Sequence, residues 1–279
     1  MIRIITDSAA DMGDIIREDL TILPIHITFG DQEFQDGVDM THQMFYERLI
    51  ESDELPVTSQ VAPFAFEEAY KAAKEKGEEV IAITLSSKLS GTWQSANIAA
   101  ESYEDMVHVV DSENVSIGQR VLVEYALCLK DGGMTALEIV EKLEAEKKNI
   151  RLIALLDTLE YLKKGGRISR AAAVAGSLLS IKPVIAIQSG EVAILGKARG
   201  SRQGNNLLAE QIRLTGGIDF SRPYVLGYTG LSDMLLQKYI ADNEVLWKDH
   251  VEALDAVSVG GTIGTHTGPG AIGAAFFSL

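Results

Sequence analysis

Apolar residues recur along this chain in two rhythms. Short continuous runs, Ile2–Ile5, Thr21–Thr28, Glu79–Leu85 and Val107–Val110, have the length and β-branched content of buried strands. Between them lie stretches with apolar positions three and four apart, which predict helices over Thr41–Ser52, Pro63–Lys76, Gly91–Glu101, Ile117–Lys130 and Thr135–Lys147. Pro63 stands in the first turn of its stretch, where a missing N–H does no harm. A further helix is predicted from about Asp11, and residues 30–40 read as a Gly/Asp-rich turn. Strand and helix in alternation predict right-handed crossovers and a parallel sheet with helices on both faces.

The rhythm changes after about residue 150. Leu152–Leu156 reads as a strand, followed by a Lys/Gly-rich turn over 163–170 and an Ala-rich helical segment from Ala171. Val184–Gln188 and Glu191–Leu195 form a predicted hairpin through Ser189-Gly190. Helices over Asn205–Thr215 and Leu231–Asn243, with strands at Tyr224–Tyr228 and Ala256–Val259, complete a mixed sheet covered by helices on one face. The fold class is therefore α/β in two domains. Residues 1–150 are expected to form a three-layer parallel-sheet domain, and 151–279 a mixed-sheet α/β domain. No repeat and no low-complexity linker separates them, so a cleft between the two is the expected ligand site.

Composition narrows the function. The 279 residues are 46% hydrophobic and 23% charged, an ordinary soluble make-up with chain enough for two domains. The 25 Lys+Arg against 40 Asp+Glu give a net charge of −15, which repels a phosphate backbone and disfavours an anionic membrane surface. Nucleic acid is thus not an expected partner. A single cysteine, Cys128, excludes an intramolecular disulfide, a CxxC motif and a multi-cysteine zinc site. The N-terminal apolar run is short and meets an acid early, so no secretory signal is expected. Residues 256–279 carry no Lys, Arg, Asp or Glu, but their six glycines and one proline disfavour a membrane-spanning helix. A cytoplasmic protein with no integral membrane segment is the expectation.

Four loops hold candidate chemistry. Ser86-Ser87-Lys88-Leu89-Ser90-Gly91-Thr92 follows a strand and opens a helix, where unpaired N–H groups favour an anion. Ser90 adds a hydroxyl there, and Gly91 lets a ligand approach the backbone; a plain Ser cap is the blander reading. Thr58-Ser59-Gln60 precedes Pro63 with the same two readings. Asp7 ends the first strand and reads best as a cap or turn acid. His266 stands among the glycines and hydroxyls of Gly264–Gly270, a bare backbone that suggests close approach to a ligand. GxGxxG, GxxxxGK[ST], HExxH and GxSxG are all absent, and the five histidines are scattered, so no nucleotide, metal or hydrolase signature is present. A Ser90–His266 dyad acting on a small anionic or carbonyl substrate stays open as the alternative, a stand-alone enzyme.

Taken in order, Thr6-Asp7-Ser8-Ala9-Ala10-Asp11, Asp36-Gly37-Val38-Asp39, Thr58-Ser59-Gln60, Ser86–Thr92, Asp111-Ser112, Leu159–Ile168, Ile181-Lys182-Pro183 and His266–Gly270 resemble the DegV family of bacterial fatty-acid-binding proteins over essentially the whole chain. The resemblance implies a lipid-binding protein of lipid metabolism, not an enzyme, with one long-chain fatty acid held between two domains and no cofactor. It implies that Thr58 or Ser59, Ser90, the Gly91 backbone and His266 meet the carboxylate. It also implies a role as the substrate-presenting subunit of a fatty-acid kinase. There a separate ATP-binding subunit forms an acyl phosphate for phospholipid synthesis, and Arg167, Arg199 and Arg170 help dock it. No catalytic and no metal-binding residue is expected on this chain.

Overall fold

The computed structural model describes residues 1–52, 54–168 and 181–279. Strands β1 (Ile2–Asp7), β2 (Leu20–Leu23), β6 (Glu79–Thr84) and β7 (Val107–Asp111) form a parallel sheet in the order β2-β1-β6-β7. Val80–Ile83 are fully buried, which demands a layer on each face. Helices α2 (Pro63–Glu75) and α3 (Thr92–Ala100) pack on each other and on β6, as do α4 (Ile117–Asp131) and α5 (Ala136–Glu146). Local chemistry starts these helices as expected. Pro63 opens α2, and Thr135 and Glu138 close a reciprocal capping box on α5.

Three N-terminal expectations are corrected. The strand expected over Thr21–Thr28 breaks at Pro24, which has no N–H for a ladder. β2 stays in the parallel sheet, while β3 (His26–Phe29) joins β4 (Gln32–Gln35) and β5 (Val57–Thr58) in a small antiparallel sheet packed beside α1 (His42–Glu51). Residues 30–40 thus carry a strand where a turn was expected. No helix starts at Asp11. A single 3-10 turn, Ser8–Ala10, ends there with Asp11 at φ 53, a left-handed conformation that stops a helix.

The second sheet holds β8 (Ile150–Leu155), β9 (Lys182–Gln188), β10 (Glu191–Ala198), β11 (Tyr224–Tyr228), β12 (Ala256–Ser258) and β13 (Ile272–Phe277). Their order is β10-β9-β8-β13-β11-β12, antiparallel except for β11-β12. Ser189 and Gly190 turn the hairpin with φ 49 and 81, the positive pair that a tight two-residue turn needs. α7 (Gly200–Leu214) and α8 (Met234–Asp242) cover one face. The other face is also covered, against expectation, because α4 packs on β8, β11 and β13 as well as on β1. Ile117–Val123 are accordingly buried all round the helix.

Two short helices lie where the sheets meet. α6 (Glu160–Lys164) packs against α9 (Gly261–Thr267). Among the described residues no helix is long and apolar enough to cross a membrane. The expected Ala-rich helix from Ala171 lies outside the described residues.

Candidate functional site

A cavity of about 280 Å³ lies between the two sheets. Its walls are mostly apolar, with Leu85 and Ile117 from the first half facing Leu152, Ile185, Ile187 and Val192 from the second. The floor is a row across four strands of the mixed sheet: Gly227 beside Gly273, Gly273 beside Ala154, and Ala154 beside Ile185. The first three have at most a methyl, so the sheet surface is low there and rises at Ile185.

One end of the cavity is polar. Thr58 at the end of β5, Ser59, Gln60, Ser90, Gly91, Arg167 and His266 all line it. Two loops are tied to each other at this end. Gln60 donates to Ser95 (2.9 Å), the Val61 N–H donates to Thr92 Oγ1 (3.2 Å), and Ser90 Oγ pairs with Thr92 Oγ1 (3.0 Å). Ser90 Oγ also accepts the N–H of Thr92, the first residue of α3 (3.3 Å), while Ser90 lines the cavity. Gly91 has an ordinary φ of −77, and space is what it supplies: a Cβ there would run into the Gln60 side chain. Upstream, the fully buried Asp7 accepts N–H bonds from Leu85 (2.9 Å) and Ala9 (3.2 Å), the capping role expected of it.

His266 sits on the last turn of α9, not in an open glycine loop. The glycines serve packing: a Cβ at Gly261 or Gly264 would meet Phe45, and at Gly268 (φ 71) the Tyr161 ring. The imidazole Nε2 lies 3.0 Å from Thr58 Oγ1. Nδ1 is buried against Gly165 and has no hydrogen-bond partner among the described residues. Burial, assisted by the charge of Arg167, pushes the His266 pKa down to about 4, so the ring is neutral near pH 7. An orphaned buried N–H is rarer than an orphaned lone pair, which puts the proton on Nε2. The Thr58 oxygen then accepts from His266, and its own hydrogen is free to point into the cavity.

The expected residues fare differently. Thr58, Ser59, Ser90, Gly91 and His266, from segments up to 208 residues apart, meet at one end of one cavity. The Ser90–His266 dyad does not form, because His266 Nε2 pairs with Thr58 and Ser90 with Thr92. Arg167 lines the same end, donating to the carbonyls of Leu89 (3.1 Å) and Gly165 (2.8 Å), and meets no carboxylate among the described residues. Arg199 is exposed at the start of α7, off the cavity lining. Arg170 lies outside the described residues. Ala154 and Gly273 were missed as lining residues. A lone glycine inside the apolar run Ile272–Phe277 was the available signal, since such glycines mark close approach to a strand.

A family model described as "Uncharacterised protein, DegV family" matches residues 1–279. A DegV domain-containing protein of Caldanaerobacter subterraneus subsp. tengcongensis is 32% identical over 280 residues, covering 99% of this chain and 98% of that one. Among solved structures, a fatty-acid-binding DegV family protein from Thermus thermophilus superposes with a TM-score of 0.88 at 29% identity, over 100% of this chain and 99% of that one. A stearic-acid-binding protein from Eubacterium ventriosum gives a TM-score of 0.85 at 26% identity, over 99% and 97% of the two chains.

Proposed function

The chain belongs to the DegV family, and from that premise we propose that it binds one long-chain fatty acid between its two sheets. The acyl chain lies over the low floor at Ala154 and Gly273. The carboxylate is held by Thr58, Ser59, Ser90 and the Gly91 backbone, and His266 serves the site by donating its one N–H to Thr58, which turns the Thr58 hydroxyl toward the ligand. The observation that carries this reading is an apolar inter-sheet cavity whose polar end offers three hydroxyls and a neutral imidazole. The reading takes residues 1–150 and 151–279 as the two domains and a cytoplasmic location for the protein.

Magnitudes agree with it. Burying about 15 methylenes at roughly 0.8 kcal/mol each contributes about 12 kcal/mol as an upper bound, before association costs. A hydrogen bond to a charged carboxylate adds about 1.5–3 kcal/mol. The tail therefore supplies affinity and the hydroxyls supply orientation. With His266 donating to Thr58, the Thr58 hydroxyl is a donor toward the ligand, which suits an ionised head group. At physiological salt the net charge of −15 acts only over about 8 Å, so it does not oppose the local donors.

The bound acid is then presented to a separate ATP-binding kinase subunit, which phosphorylates the carboxylate for phospholipid synthesis. A head group held by neutral hydroxyls stays available for phosphoryl transfer. Charge distribution supports a docking face: residues 161–203 hold eight of the 25 Lys+Arg and one of the 40 Asp+Glu. Arg167, Arg170 and Arg199 fall in that stretch.

Native mass spectrometry of the purified protein, followed by lipid extraction, tests the first step. One fatty acid per chain is expected, and a protein that is empty and refuses added palmitate and oleate overturns the reading. For the second step, hydroxylamine trapping of acyl phosphate is expected with ATP and a fatty-acid kinase subunit together. No trapped product with a subunit that is active on its own lipid-binding partner overturns the presentation role.

A further inference from the structure

Two buried carboxylates of the first half lie outside the cavity and reach across to the second half. Asp36, just past β4, is 3% exposed. Its Oδ1 accepts the Gly261 N–H (3.1 Å), and its Oδ2 accepts the Thr262 N–H (3.1 Å) and the hydroxyls of Thr262 and Ser8. Asp11 is 5% exposed, accepting the Gly260 N–H (2.7 Å) on Oδ1 and the Ser116 hydroxyl (2.7 Å) on Oδ2. Three successive N–H groups at the start of α9 thus end on two carboxylates. Among the described residues neither carboxylate has an ion-pair partner. Fixing two unpaired acids inside a fold is unfavourable unless their hydrogen bonds are made, so these bonds are strongly held.

α9 has seven residues, too few to keep a direction through its own hydrogen bonds. It is placed by what surrounds it. On its flank, Gly261 and Gly264 press against Phe45 and Tyr46 with no room for a Cβ. That packing sets the distance to α1, α6 backs the C-terminal end, and the two carboxylates hold the N-terminus against sliding along the axis. At the other end, about 7 Å along the axis, His266 meets Thr58 at 3.0 Å. A slide of about 1 Å directed along that contact would stretch it to about 4 Å, past the range of a hydrogen bond.

We propose that Asp36, together with Asp11, is a positioning residue for the carboxylate-binding end of the cavity: by holding the first N–H groups of α9, the two acids set the axial position of His266 against Thr58. The inference rests on the fatty-acid reading for what His266 serves, but not for the mechanical link itself.

Asp36→Asn keeps the shape and turns one accepting oxygen into an NH₂ group that faces a backbone N–H. The test is NMR of ¹⁵N-histidine-labelled protein, without ligand and with ¹³C-carboxyl palmitate. In the parent, His266 is expected to stay neutral on the Nε2–H tautomer down to about pH 5. In Asp36→Asn, its titration midpoint is expected to rise by about one pH unit or more as the ring gains water. The bound carboxyl resonance is expected to shift or broaden, with palmitate still near one per chain.

Leu208→Ala, a cavity cut in the core under α7, is the control for lost stability, expected to lower Tm and leave the His266 titration in place. Thr262→Val removes one donor from Asp36 while keeping its charge, and carries the same readouts if Asp36→Asn does not fold. A parent-like His266 titration in whichever of the two variants folds overturns the proposal. So does a Leu208→Ala protein whose His266 moves as far. Because His266 is also titrated without ligand, a parent that fails to bind palmitate defeats the fatty-acid reading and leaves the positioning link to be judged separately.

Discussion

The Thr58 hydroxyl oxygen and the His266 Nε2, 208 positions apart in the chain, lie 3.0 Å from each other at the polar end of the cavity. Their bond makes Thr58 a donor toward a ligand. Thr58→Val keeps the volume and removes both the acceptor for His266 and the donor for the carboxylate. Palmitate affinity is expected to fall by at most about 1.5–3 kcal/mol, roughly 10- to 150-fold, out of a binding energy dominated by the tail. Fluorescent fatty-acid displacement measures this; a loss of all detectable binding would show that the head group, not the tail, carries affinity.

His266 and Asp7 pull stability in opposite directions with pH. Burial lowers the His266 pKa to about 4, so its contribution is present above the ordinary value of 6.5 and is lost as pH falls toward 4. Burial raises the Asp7 pKa to about 7 despite the N–H bonds it accepts, so its contribution is present below 3.8 and is lost as pH rises through 7. Tm measured in steps from pH 4 to pH 8 is expected to fall less steeply on the alkaline side in Asp7→Asn, with the rest of the fall kept by Asp11, whose pKa burial also raises to about 7. His266→Gln is expected to lose its fall on the acid side. Parallel curves for parent and both variants would contradict this.

Ala154 lies on the low part of the cavity floor, between Gly273 and Ile185. Ala154→Leu adds three carbons there. Displacing two or three tail methylenes is expected to cost the longest ligands about 2 kcal/mol, around 30-fold, and to shift the extracted lipid toward shorter chains. Mass spectrometry of the lipid from each protein reads the shift directly. An unchanged chain-length profile would remove Ala154 from the tail's path.

A methyl on Gly91 collides with the Gln60 side chain. Gly91→Ala is therefore expected to break the Gln60–Ser95 bond, lower stability by about 1–3 kcal/mol and weaken palmitate binding in parallel. Gln60→Ala in the same background frees the space. The double variant is expected to recover much of the loss in urea unfolding, whereas simple addition of the two penalties would argue against direct contact.

Regular elements were legible wherever local chemistry agreed with packing. The apolar run at Val80–Ile83 and the helices opened by Pro63 and Thr135 are examples. Legibility failed where tertiary contacts chose the backbone. Asp11 is left-handed while its carboxylate bonds across to Gly260 and Ser116, and β13 is rich in Gly and Ala at the centre of its sheet. The Gly261–Thr267 helix has glycines that weaken a helix in isolation but fit it against Phe45. The hydroxyl loops were visible as strand-to-helix junctions. Their convergence with His266 was legible only through the family resemblance, since no local pattern encodes a contact 208 residues long.

The first two turns of α4, Ile117–Val123, are buried on every side because each of the two large sheets uses this helix as part of its own core. The walls of the cavity therefore share a beam, and swinging the halves apart would strip that helix of cover on one side. On the fatty-acid reading, the ligand is expected to come and go through local movement at the rim while the two halves stay together. The same shared helix ties the sheets into one cooperative unit, so heat is expected to melt both together, in a single calorimetric transition whose van't Hoff and measured enthalpies agree.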